Sequence, residues 1–262
     1  MLTINQYVRA ESLAQAYELN QKRNNIILGG MHWLKFSKRN IGTAIDLSDL
    51  GLDVIEEKND CCHIGAMVTL RQLEMNRQLN ELCNGAFAES VRQIVGVQFR
   101  NMATIGGSIY GRYGFSDVLT IFLALDAQVE LYEKGIVSLE KFIDMPYDND
   151  ILVRLIVRKE KSKTVYLSQR NTKTDFPVLT CAVSEKDGNY RIAIGARPKP
   201  AVCLYDETGI LKSGITKESV SEFGDYIAEK IETDSNLRGS KEYRRILSDV
   251  LTKRALLKLK DM

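Results

Sequence analysis

The chain has 262 residues, enough for one large domain or two modest ones with real cores. Hydrophobic residues at 44% and charged residues at 27% are ordinary for a globular protein, and 36 Lys and Arg against 34 Asp and Glu leave a formal charge of +2. That balance gives no electrostatic footprint for nucleic acid or an acidic membrane, and the longest apolar run, near Val118 to Ala124, is too short to cross a bilayer.

The opening Met1-Leu2-Thr3-Ile4-Asn5 has neither a basic region followed by an apolar one nor a cleavage site, so a cytoplasmic location is expected. Ser12-Leu13-Ala14-Gln15 has the form of a capping box starting an amphipathic helix through Leu13, Ala16, Tyr17 and Leu19. The helix runs into a strand over 26–28, a helix-then-strand start that reverses a Rossmann unit. That strand leads into Gly29-Gly30-Met31-His32-Trp33, where a glycine pair lets the backbone turn sharply and consecutive N–H groups close around an anion. Residues 41–47 read as a strand, 56–60 as a polar turn, 63–66 as a strand, and Thr69-Leu70-Arg71-Gln72 as a second capping box. A helix is predicted over 87–95, with Val91, Ile94 and Val95 on one face, ending near Gly96.

A second glycine pair follows in Arg100-Asn101-Met102-Ala103-Thr104-Ile105-Gly106-Gly107-Ser108-Ile109. Neither pair carries the Gly-Lys-Ser/Thr of a Walker A loop or the spacing of a Rossmann fingerprint. A lone Gly-Gly is most often a plain turn, but two such loops point to one ligand with two phosphates. N–H bonds to phosphate, at about 1.5–3 kcal/mol each, would anchor it without a lysine. Ser116 then caps a helix carrying Val118, Ile121, Phe122 and Leu125. Alternating runs at 128–132, 151–157, 164–167, 178–184 and 190–196 read as strands, and helices over 217–231 and 240–259 close the chain. The mixture predicts an α+β fold, with a boundary in the charged stretch after Arg158 separating a domain over 1–160, itself split near 55–60, from one over 161–262.

Cys61, Cys62, Cys83, Cys181 and Cys203 are scattered, with no C-x-x-C spacing. Buried small hydrophobes is the better reading than a disulfide framework, a zinc site or an iron–sulfur cluster held by this chain alone. With His32 and His63 the only histidines, neither a metal site nor a Ser-His-Asp triad is expected, and no catalytic residue is assigned.

Three segments in order, the first glycine loop, Asn101 to Ile109 with Ser116-Asp117 and Leu123-Ala124-Leu125-Asp126-Ala127 beyond it, and Asn236 to Arg245 with Arg254-Ala255-Leu256, resemble the FAD-binding subunit of the molybdenum hydroxylases, the xanthine dehydrogenase and carbon monoxide dehydrogenase family. The resemblance implies a two-part FAD-binding domain of the vanillyl-alcohol-oxidase or PCMH type, then a smaller α+β domain with an antiparallel sheet and helices. It implies noncovalent FAD with its diphosphate between the loops. Ile27, Leu28, Gly29, Gly30, Met31, His32 and Trp33 would wrap one side, and Thr104, Gly106, Gly107 and Ser108 the other. Many relatives have asparagine in place of Ser108, and His32 and Trp33 are unusual there. They are read either as a phosphate donor and a stacking ring or as packing for the loop. Asp117 would accept hydrogen bonds from FAD hydroxyls, with a helix-start aspartate favoured by the dipole as the competing reading. Val153, next to Ile151 and Leu152, would touch the flavin ring by main chain. Leu167 stands in the flavin-facing segment where the family often has a lysine, with Arg170 and Lys173 further on.

The same resemblance implies partners: an iron–sulfur subunit with [2Fe-2S] clusters and a molybdopterin-binding subunit carrying the molybdenum cofactor, with NAD or another molecule as electron acceptor. A self-contained FAD oxidoreductase of the same fold, such as the enolpyruvyl-sugar reductase or the aryl-alcohol oxidases, is one alternative. A non-catalytic scaffold with a degenerate flavin site, kept open by Ser108 and Leu167, is another.

Overall fold

The computed structural model describes residues 1–262. It begins with a strand that the residue pattern does not announce, β1 (Thr3–Arg9), whose side chains are almost all exposed, so that no period-two burial is written into it. The start is therefore strand, helix, strand: α1 (Leu13–Asn20), β2 (Ile26–Ile27) and β3 (Asn40–Asp46), with β1 and β2 lying parallel on either side of β3. Ser12 caps α1 by accepting the Gln15 N–H, while the Gln15 side chain reaches past the cap to the Glu11 N–H at 2.7 Å.

β4 (Ile55–Lys58) and β5 (Cys61–Gly65) form a hairpin whose turn is only Asn59-Asp60, both in left-handed conformation with φ of 49° and 57°. The expected turn over 56–60 is shortened because Glu56 and Glu57 lie on an exposed edge strand, where polar side chains suit the solvent. Next come α2 (Leu70–Met75), α3 (Arg77–Leu82), α4 (Ala86–Val91), α5 (Val97–Arg100), α6 (Ile105–Tyr110) and α7 (Asp117–Ala124). The box at Thr69 is reciprocal: the Gln72 N–H donates to Thr69 Oγ1 at 3.1 Å and the Thr69 N–H to Gln72 Oε1 at 2.8 Å. Helix α4 stops at Val91, short of the expected 95. Val95 sits at φ 49° and is 53% exposed, a geometry that neither continues a helix nor buries an apolar face.

The rest of the chain supplies β6 (Gln128–Leu131), β7 (Gly135–Ser138), α8 (Leu139–Asp144), β8 (Leu152–Arg158), β9 (Lys163–Arg170), β10 (Pro177–Lys186), β11 (Asn189–Gly195), β12 (Val202–Tyr205), α9 (Lys217–Lys230) and α10 (Lys241–Lys260). A five-stranded antiparallel sheet runs β4-β5-β8-β6-β7, and a four-stranded antiparallel sheet runs β12-β11-β10-β9. By contact the chain divides into two compact units. The first holds residues 1–72, 97–111 and 127–158 and carries the parallel and five-stranded sheets; the second holds 73–96, 112–126 and 159–262 and carries the four-stranded sheet with α9 and α10. Two short stretches before residue 127 thus belong, by packing, with the C-terminal part of the chain. In that second unit Val178, Ile192, Phe223, Ile227, Leu251 and Leu256 share one core. Arg244, fully buried, ties the turn at 234–239 to it through the carbonyls of Val178, Ala196, Asp234 and Gly239 and through Asn236 Oδ1. No helix is long and apolar enough to cross a membrane.

Candidate functional site

In the first unit β2 ends at Ile27, and the Leu28 N–H still donates to the Ile45 carbonyl at 2.8 Å. Leu28 is buried with Ile41 and Ala44, and Ile27 packs on the neighbouring core of Ala16 and Ile45. Beyond Leu28 the ladder stops, and no acceptor in the chain takes the N–H of Gly29, Gly30, Met31 or His32. Met31 has φ 57°, a left-handed residue in a turn, the kind of backbone that gathers successive N–H groups into an anion-binding concavity. The Met31 and Leu34 side chains fold onto the Leu28 core. His32 packs the loop: its ring stacks on Phe99 with centroids 3.7 Å apart, its Nε2 lies 3.1 Å from the Phe99 carbonyl, and burial holds its imidazole below the ordinary histidine range. Trp33 is 45% exposed.

The second glycine pair is not a loop. Gly106 and Gly107 lie in the first turn of α6, capped by Thr104, whose Oγ1 accepts the Gly107 N–H at 3.2 Å. Its N–H groups are not free for a phosphate, because the turn spends them on residues 66–68 and on Thr104. Ile105 donates to Val68 at 2.8 Å, Gly106 to Ala66 at 2.7 Å and Ser108 to Thr104 at 3.1 Å, while Ser108 Oγ donates to the Thr104 carbonyl at 2.9 Å. The glycines instead permit close approach. A Cβ on Gly106 would meet the Ala66 oxygen at 2.7 Å, one on Gly30 the Met102 oxygen at 2.1 Å, and one on Gly29 the Thr104 Oγ1 at 2.9 Å. Both glycine segments are thus in direct contact, and Gly107, exposed, would place a Cβ against Thr104 Oγ1 alone, at 3.1 Å.

In the second unit Asp117 is the first residue of α7, behind the cap Ser116, and is 4% exposed. Its Oδ1 accepts both the Tyr166 hydroxyl and Arg170 Nη2, and Arg170 Nη1 donates to the Asp175 carbonyl. Burial pushes the Asp117 carboxyl up to about 6, against the downward pull of Arg170 and Tyr166. Burial and the adjacent Asp117 hold the Tyr166 phenol well above its ordinary range. Sequence reading treated Arg170 only as a charge following Leu167 and missed Tyr166. Their spacing of four on one strand places them on one face, and a buried aspartate needs such partners, so a signal existed.

Val153 is 2% exposed, its side chain lies in the Ala10 and Ile45 core, and its carbonyl accepts the Ala66 N–H at 2.9 Å. Leu167 stands opposite Cys181 in the β9–β10 ladder and packs on the C-terminal core, while Lys173 is exposed. The five cysteines are free thiols, and no cluster of three or more His, Cys, Asp or Glu is placed to hold a metal ion.

Residues 3–159 match the family described as the FAD binding domain in molybdopterin dehydrogenase, and residues 163–259 match the CO dehydrogenase flavoprotein C-terminal domain. The chain is 28% identical over 254 residues to the uncharacterized protein YgfM of Escherichia coli K12, covering 95% of this chain and 93% of that protein. It is 25% identical over 270 residues to the glyceraldehyde dehydrogenase medium chain of Sulfolobus acidocaldarius, covering 95% and 96%. Among solved structures, it superimposes with a TM-score of 0.85 and 23% identity, over 97% of each chain, on a chain of the carbon monoxide dehydrogenase from Hydrogenophaga pseudoflava that lacks the Mo-pyranopterin moiety of its cofactor.

Proposed function

The chain belongs to the FAD-binding medium subunits of the molybdenum hydroxylase family, and on that premise we propose that it is the electron-transfer subunit of a heteromeric dehydrogenase. In this reading it takes electrons from [2Fe-2S] clusters on an iron–sulfur partner, a molybdopterin-binding partner oxidises the substrate, and NAD or another acceptor receives the electrons. The observation that carries it is the run of unclaimed N–H groups from Gly29 to His32, a donor set that fits a diphosphate.

Flavin, when bound, supplies the exchange between single electrons and an electron pair. The chain's own residues bind and orient it. The four N–H groups hold the diphosphate, each charge-assisted bond contributing about 1.5–3 kcal/mol. Gly30 seated against Met102, and Thr104 between Gly29 and Gly107, fix where that loop lies. Gly107 keeps an adjoining face free of side chain. Ser108 turns its hydroxyl back to Thr104 and acts on the cap of α6.

The test is affinity capture of the tagged chain from its native host, with visible spectra of the eluate. Flavin bands together with iron–sulfur absorption from copurifying subunits are the expected outcome. A single-component preparation that oxidises an organic substrate at an ordinary enzymatic rate with FAD alone would overturn the subunit reading in favour of a self-contained oxidoreductase.

A further inference from the structure

The amino-terminal strand leaves a sheet edge without protection. In the three-stranded sheet of the first unit β1 has β3 as its sole partner, and no other backbone hydrogen bond reaches residues 4–9. The N–H and C=O groups of every second residue therefore point away from the sheet, a row of unpaired donors and acceptors. Edge strands are ordinarily blunted by a lysine, a proline, a bulge or a covering element. β1, Thr3-Ile4-Asn5-Gln6-Tyr7-Val8-Arg9, has none of these. Its ladder with β3 runs without a register shift, and every side chain is exposed except that of Val8, which is half-buried.

Two features of this sheet select the strand that would complete it. The first is the sequence of β1 itself. Laid antiparallel to a second copy in the register that pairs all seven residues, it has its two-fold axis at Gln6. Ile4 then faces Val8 of the other copy, Asn5 faces Tyr7, Thr3 faces Arg9, and Gln6 faces its own counterpart. No residue from Thr3 to Val8 is charged, so no like charges meet across the pair. The second feature is the charge of the two ends of the sheet. The strands are parallel, so their amino ends lie together: exposed Lys22 and Arg23 precede β2, and exposed Lys38 and Arg39 precede β3. The Arg39 carbonyl there accepts the Thr3 N–H at 3.1 Å. At the carboxyl ends Asp46, Asp49 and Glu11 outnumber Arg9, which pairs with Asp49, while the Tyr7 hydroxyl donates to Asp46. An antiparallel two-fold sets the basic end of each sheet beside the acidic end of the other, whereas a parallel pairing would set basic beside basic.

We propose that the β1 edge docks a second copy of this chain, the two β1 strands pairing antiparallel about Gln6 to give one six-stranded sheet ordered β2-β3-β1-β1-β3-β2. Such a contact is isologous, so it closes at a dimer instead of growing into a fibre. Seven paired residues bury less than the about 1,200–2,000 Å² of a standard stable interface, so the dimer is reversible, with a Kd on the order of 10 µM. The dimer does not depend on FAD or on the partners proposed above.

The test is sedimentation velocity on the purified chain from about 1 to about 200 µM, in the wild type, Gln6→Lys, Gln6→Glu and an equimolar mixture of the two variants. The wild type should pass from monomer to dimer over that range, and the dimer should weaken several-fold as salt rises from about 50 to about 500 mM. Gln6→Lys and Gln6→Glu each place like charges opposite one another on the axis and should stay monomeric, while their mixture should dimerise again. Gln6→Cys should form a disulfide-linked dimer under mild oxidation, faster than the wild type with its own cysteines, because directly opposed Cα atoms at about 4.5–5.5 Å lie within disulfide reach. A wild type that is monomeric at every concentration overturns the proposal. A dimer that survives both charged variants overturns it too, since another surface then holds the copies together. So does a monomer whose β1 amides gain hydrogen-exchange protection only in the assembly captured from the host, because a strand of a partner subunit then takes the edge. If a charged variant does not fold, the wild-type dilution series and the Gln6→Cys cross-link decide.

Discussion

A Cβ placed on Gly30 would stand 2.1 Å from the carbonyl oxygen of Met102. No side chain fits at that distance without moving one backbone segment off the other, and the two segments concerned carry the two glycine pairs. Gly30→Ala should therefore cost about 1–3 kcal/mol, as overpacking does, and lower the melting temperature by several degrees, with FAD affinity falling alongside. Gly107→Val differs, because its Cβ meets only Thr104 Oγ1, at 3.1 Å, on an exposed face. That variant should keep most of its stability in a thermal scan and still purify with little FAD. A folded Gly107→Val protein with a full flavin content would remove this face from the diphosphate site.

Arg244 in the second unit has four carbonyls and Asn236 Oδ1 as acceptors and no exposed surface. Arg244→Met would remove the side-chain donor from all of them; Gly239 keeps the Asn236 N–H, while any other carbonyl left unpaired where water cannot reach it costs about 1–3 kcal/mol. We expect a loss of at least several kcal/mol in urea unfolding and early proteolysis in the turn at 234–239. Arg244→Lys should recover little, since a single ammonium cannot serve acceptors spread around a planar fork. Wild-type protease resistance in the methionine variant would show that the turn is held by other contacts.

Local signals carried much of this fold. The caps at Ser12, Thr69, Ser116 and Ser240 are visible as residue types, and each accepts the N–H three residues on. The antiparallel strands of the second unit alternate or run apolar as their burial requires. What stayed hidden depends on tertiary contact. β1 is an exposed edge strand without an apolar period, and Val95 leaves the helix because nothing covers it. At the site, the glycine pairs marked the right segments but not their roles. The first offers N–H groups; the second spends its own on residues 66–68 and on Thr104. Tyr166 and Arg170 lie 49 and 53 residues from Asp117 in the chain, and only the second unit's packing joins them.

Burial separates the cysteines by reactivity. It pushes the Cys83 thiol up to about 11 and the Cys181 thiol up to about 12, so neither supplies thiolate near neutral pH, whereas Cys61 is only half-buried. With a disulfide reagent on the native protein, Cys61 should react first, and Cys83 and Cys181 should stay silent until denaturant is added. Mass spectrometry of the labelled peptides reads this directly. Early labelling at Cys181 would mean that the four-stranded sheet opens at a free energy well below that of global unfolding.

Stability against pH decides whether burial or Arg170 governs Asp117. With its carboxyl at about 6 in the fold against 3.8 for a free aspartate, the folded chain holds a proton in that interval that the unfolded chain has released. The contribution of this group is therefore fully present below about 4 and is lost as pH rises through about 6. Asp117→Asn cannot titrate, so its stability should not change with the protonation of this site. The wild-type urea midpoint should therefore fall relative to that of the variant as pH rises from about 4 to about 7. If the wild-type midpoint rises relative to the variant's instead, the folded carboxyl titrates below 3.8, and the guanidinium and the Tyr166 hydroxyl outweigh desolvation.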